Sequence, residues 1–139
     1  MLRNILLPMT AGAGVGVVIQ ESIWFAGEIM TPSISLAEAM TRLHPGPPWL
    51  GLLISGWLSG GAVAGLMGSL LGRGRIGAYS GAFLLAAGAW LQIELTWPGA
   101  GGLAAFALTP IAGAVAGSAL GMRLLACDTN DQHPRSLLT

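Results

Sequence analysis

The sequence predicts an all-α fold, an integral membrane bundle of four transmembrane helices. Three observations predict it. Only 9% of the 139 residues are charged, against 53% in the hydrophobic class, whereas soluble domains carry about 25% charged residues. Four apolar windows have the ~20 residues needed to cross a bilayer. The 22 glycines fall inside those windows without a collagen-like period, which points to close helix packing rather than to disorder.

The windows lie at about 4–26, 49–71, 76–97 and 102–125. The first, NILLPMTAGAGVGVVIQESIWFA, follows Arg3. It carries Gln20, Glu21, Trp24 and Phe25 near its end and no small-residue cleavage site after it, so it reads as a span rather than a removable leader. The second, WLGLLISGWLSGGAVAGLMGSLL, ends at a tight Arg73-Gly-Arg75 turn. The third ends in Glu94-Leu-Thr-Trp97, and the short link Pro-Gly-Ala-Gly leads to the fourth. Pro110 lies inside that last window. It is expected to bend the helix there, with Thr109 serving the carbonyl that loses its partner.

Arginines orient the chain. Arg3, Arg73, Arg75, Arg123 and Arg135 fall on one side of a four-span arrangement and Arg42 alone on the other. The positive-inside rule then places both termini in the cytoplasm of a bacterial cell, with the bundle in the inner membrane. Between the first two spans the external loop carries Ser35-Leu-Ala-Glu38, a capping box, followed by apolar residues at helical spacing. Residues 33–43 are expected to form an amphipathic helix on the outer membrane face. Residues 1–126 make the transmembrane domain and 127–139 a polar cytoplasmic tail.

The chain repeats itself. Gln20-Glu21-x-x-Trp24 ends the first span, and Gln92-x-Glu94-x-x-Trp97 ends the third. Each is followed by a span holding the pentapeptide GAVAG, at 61–65 and 113–117, and then an inner arginine. This order implies a parallel duplication of two helical hairpins about an axis along the membrane normal. Gly61 and Gly65 on one copy, and Gly113, Gly117 and Gly121 on the other, form ridges suited to close helix contact, either within the bundle or against a second copy.

Few groups could do chemistry. Glu21 and Glu94 are the acids inside the four windows, with Gln20 and Gln92 beside them, and an ionisable group within a span is a functional candidate by default. They are the candidate ion- or proton-binding residues, at the outer edge of the core. Trp24, Trp49 and Trp97 fall at the same level and are expected to anchor the interface. No catalytic set, metal site or cofactor motif is expected: a single Cys127 and two scattered histidines do not space as ligands. With no lysine and zero net charge, nucleic acid is an improbable partner. The expected partners are the lipid bilayer and either further copies of the chain or a larger membrane complex.

Glu21, the long loop over 27–48, Trp57-Leu-Ser-Gly60-Gly61 and the glycines from Gly113 to Gly121 together resemble a group of small four-span bacterial integral membrane proteins. The resemblance implies the fold and no particular activity. The small multidrug-resistance exporters also have four short helices with an acid in the first, but here that acid lies near the outer edge and the first loop is longer. Two functions are compatible with these residues: a homo-oligomeric channel or proton- or cation-linked carrier, or a non-catalytic accessory or assembly subunit of a larger complex. An enzyme is not expected.

Overall fold

The computed structural model describes residues 3–30, 47–72, 75–96 and 101–131. The fold is all-helical. Helix α1 runs Arg3–Met30, α2 Pro47–Gly72, α3 Arg75–Thr96 and α4 Thr109–Asp131, with a 3₁₀ stretch Gly101–Leu108 leading into α4. Local sequence accounts for most of these ends. The described part of α1 reaches Met30, four residues beyond the expected window, and Pro32 follows in the sequence, a residue type that disfavours helix at the position before it. Pro47 and Pro48 occupy the first turn of α2, where their missing N–H groups cost nothing. Pro98 follows α3 in the sequence as Pro32 follows α1. The expected external helix over 33–43 lies outside the described residues, as do Trp97 and residues 132–139 of the tail.

Three stretches are long and apolar enough to cross a membrane: Ile5–Met30, Trp49–Gly72 and Leu103–Cys127. Helix α3 does not reach that standard, so the structure establishes three candidate spans rather than the four expected. Its 22 residues include Tyr79, Ser80, Gln92 and Glu94, which dilute an otherwise Ala- and Gly-rich segment. Large apolar side chains, among them Val18, Phe25, Phe83, Trp90, Leu95 and Val115, point outward. A surface of that kind suits lipid and not water.

Pro110 acts differently from expectation. It does not bend a continuous helix; it sits in the first turn of α4, and the residues before it are 3₁₀. A proline cannot donate to the carbonyl four residues back and its ring crowds that carbonyl, so the α-helical ladder starts at the proline instead of running through it. The carbonyl that loses its donor four residues on is that of Phe106. The Thr109 hydroxyl donates to it at 2.8 Å, as the sequence led one to expect.

Helix α2 is the hub, packed on α1, α3 and α4, while α1 and α4 share no substantial contact. Neighbouring glycines show each direction. Gly12 lies on Ala64, Gly16 on Gly60 and Gly56 under Trp24, so α1 and α2 are antiparallel. Gly81 lies on Gly12 and Ala13, and Leu85 on Gly16, so α1 and α3 run parallel. Helices α2 and α4 are also parallel, and their contact is made by the two GAVAG copies. A side chain at Gly61 would collide with Pro110, and one at Gly113 with Leu58; one at Gly65 would collide with Ala114, and one at Gly117 with Ala62. Positions 58 and 110 correspond under the repeat, as do 62 and 114. The contacts are therefore reciprocal, as a two-fold axis between α2 and α4 requires. This relation does not extend to the whole bundle, because such an axis would pair α1 with α4 as it pairs α3 with α2.

Candidate functional site

Most of the described serine and threonine hydroxyls are turned back on their own helices; Ser59 and Thr96 are not. Ser22 donates to Val18, Ser55 to Leu52, Ser69 to Leu66, Ser80 to Gly77 and Ser118 to Val115, at 2.7–3.0 Å. A hydroxyl satisfied in this way offers little to a permeating ion. Ser118 also approaches the Tyr79 hydroxyl, at 3.5 Å. The GAVAG glycines, Gly61 and Gly65 against Gly113 and Gly117, bring α2 and α4 together at the level of the backbone, and Gly121 continues the ridge against the Ser69 side chain.

The tryptophans are a correction. Trp24 and Trp49, expected as anchors facing the interface, are 4% and 5% exposed. Trp24 lies over Gly56, whose missing side chain leaves room for the indole. It meets Trp57 edge to face, with ring centroids 6.3 Å apart and planes at 72°, a geometry worth ~0.5–1.5 kcal/mol beyond area burial. Leu53, Ala89, Ile93 and Ala107 complete this cluster. Depth along a helix favoured an interfacial indole; rotation about the helix axis turned it inward. Trp90, by contrast, is 51% exposed. Among the described residues, the Nε1–H groups of Trp24 and Trp57 have no hydrogen-bond partner.

The polar groups named from sequence divide. A lateral groove of about 430 Å³ runs between α1 and α3, from Thr10 toward the C-terminal ends of both helices, and Gln20, Glu21 and Gln92 line that end of it. Glu94 is not among its lining residues. It lies two positions beyond Gln92, ~160° round the helix, on the outward stripe of Phe83 and Trp90. The structure thus brings Glu21 together with both glutamines and separates it from Glu94.

Two features of this groove were not legible in the sequence. Gln20 is 8% exposed, wedged beside Gly60, and its amide makes no hydrogen bond among the described residues. Gly14 and Gly88, on opposite walls, have open space where a side chain would be. The bundle's own packing does not require glycine at either place; the depth of the groove does. In sequence they could not be told from Gly12 and Gly16, which do serve internal packing.

Compared with known protein families, curated proteins and solved structures, the chain matches none.

Proposed function

We propose that the chain is a four-span membrane protein that works as a non-catalytic accessory subunit, holding a transmembrane helix of another protein in the α1–α3 groove. The observation that carries this reading is the pairing of open glycines, Gly14 and Gly88, with Gln20, a largely buried residue whose amide makes no hydrogen bond among the described residues. Small residues let a neighbouring backbone approach, and polar side chains join helices where lipid offers no partner. An acyl chain could fill the volume but could not satisfy the amide.

Helix α3 is read as the fourth span. It lies alongside α1 from Gly77, beside Pro8, to Gln92, in the groove with Gln20, and Ile76, Phe83, Trp90, Leu91 and Leu95 on its outward side are exposed. Four spans with arginines inside place both termini in the cytoplasm of a bacterial inner membrane. The α2 and α4 segments are read as copies of one packing unit, an ancestry supported by their reciprocal contacts. The carrier reading is weaker, because a two-acid site would need α3 to rotate by nearly half a turn to bring Glu94 to Glu21.

Co-purification from native membranes in mild detergent tests the accessory role. A stoichiometric partner should be retained by the parent chain and lost from Gly14→Leu and Gly88→Leu, with helix content unchanged. A homo-oligomer conducting a pH-dependent flux in vesicles, lost on Glu21→Gln and on Glu94→Gln, would establish the carrier instead. For topology, Cys127 is exposed and is the lone cysteine. An impermeant thiol reagent should label it only after cell lysis.

A further inference from the structure

From the same groove we infer that the docked helix carries a basic residue, Lys or Arg, at the depth of Glu21; this rests on the helix-docking reading above. The Glu21 carboxylate lines the outer part of the groove, and no ion pair or hydrogen bond to it is formed among the described residues. The other lining residues are Thr10, the two glutamines and apolar or small side chains, so none of the described lining residues is basic. Thr10 is far down the wall and donates to Leu6 at 2.8 Å. An ionised carboxylate is acceptor-only, and each glutamine adds a carbonyl acceptor. Gln20, Glu21 and Gln92 thus bring acceptor oxygens to one end of the groove, the glutamine amides also being able to donate. A side chain with three or more N–H donors and one positive charge complements those oxygens.

Charge complementarity also argues against a second copy as occupant. The chain has no lysine. Of its arginines, Arg3, Arg75 and Arg123 lie among the described residues, at the other end of the bundle from Glu21, so no described basic residue stands at the level of Glu21. A partner's cation would in turn be unpaired in the outer leaflet without Glu21. Such mutual dependence is how charged groups are tolerated inside membranes.

The full chain, labelled with a donor fluorophore on Cys127, is reconstituted in phosphatidylcholine vesicles. It is titrated with acceptor-labelled Leu-Ala transmembrane peptides of about 22 residues. The peptides share a Gly-x-x-x-Gly face and differ at one outer position, which is Lys, Leu or Glu. The Lys peptide is expected to bind about ten-fold more tightly than the Leu peptide, and the Glu peptide most weakly. Glu21→Gln should remove the preference for Lys while the Leu peptide binds as before. Gly14→Leu and Gly88→Leu should each weaken all three, with circular dichroism confirming that the helices persist. Equal binding of the three peptides, still sensitive to Gly14→Leu, would overturn the basic partner and leave the groove as a helix site. Absence of binding by any peptide, or binding indifferent to both glycine variants, would overturn the docking reading itself. Energy transfer between donor- and acceptor-labelled copies of the chain, lost on Gly14→Leu, would assign the groove to a second copy and likewise overturn the inference.

Discussion

Gly117 packs on the carbonyl of Ala62, and in the same interface Gly65 packs on that of Ala114. The fifth residue of each GAVAG thus meets the second residue of the other. Parallel helices repeating one pentapeptide can satisfy both contacts at once only when the axis between them relates the copies by a half-turn. Lipid supplies no hydrophobic drive to bring helices together, so the stability of this pair depends on how closely the backbones approach.

That dependence gives the first expectation. Gly117→Leu and Gly65→Leu should destabilise the bundle by similar amounts, ~1–3 kcal/mol or more, because backbone blocks the space on both sides. Leu124→Ala removes a side chain that is half exposed and should cost much less. Unfolding in detergent, followed by circular dichroism, makes the comparison. Tolerance of both leucines would mean that α2 and α4 do not meet as described.

Gly14 and Gly88 should behave in the opposite way. A methyl group at either meets nothing, and alanine is the better helix former by up to ~1 kcal/mol. Gly14→Ala and Gly88→Ala are therefore expected to leave unfolding unchanged or raise its midpoint. Gly16→Ala, which would press on Gly60 and Leu85, should lower it. A loss of stability from Gly14→Ala equal to that from Gly16→Ala would place Gly14 in the internal packing.

The start of α4 can be examined with a double-mutant cycle. Thr109→Val deprives the Phe106 carbonyl of its side-chain donor and should cost up to ~1 kcal/mol, the net worth of one such bond. In a Pro110→Ala background the backbone N–H can serve that carbonyl, and the same change should cost clearly less. Equal costs in the two backgrounds would show that the hydroxyl and the proline are not coupled.

The buried tryptophans separate packing from hydrogen bonding. Trp24→Phe and Trp57→Phe each remove an N–H that has no partner among the described residues while keeping an aromatic ring in place. They should cost far less than Trp24→Ala or Trp57→Ala, which at a buried site typically cost ~3–5 kcal/mol. If the phenylalanine variants are as damaging as the alanine variants, the indole N–H groups are engaged after all.

Local chemistry determined a good deal of this protein by itself. Apolar length marked out the helices. Prolines mark the beginning of α2 and follow α1 and α3, and Thr109 could be matched to the carbonyl that Pro110 abandons because both effects act within one turn. The glycine ridges were visible as spacing, but the sequence left open whether they close the bundle or meet a second copy; that the two GAVAG copies pack on each other is read from the structure. Tertiary structure alone decided which side of each helix faces which neighbour. Glu21 and Glu94 stand at corresponding depths, yet one lines the groove and the other lies among outward-facing apolar residues. Trp24, expected to face the interface, is turned into the bundle. Gly14 and Gly16, two residues apart, face open space and the backbone of α2 respectively. Depth follows from rise per residue, a property of one helix. Facing depends on how several helices are rotated against one another, and a bundle whose helices are apolar or small on nearly every side leaves that rotation to the fit of backbones.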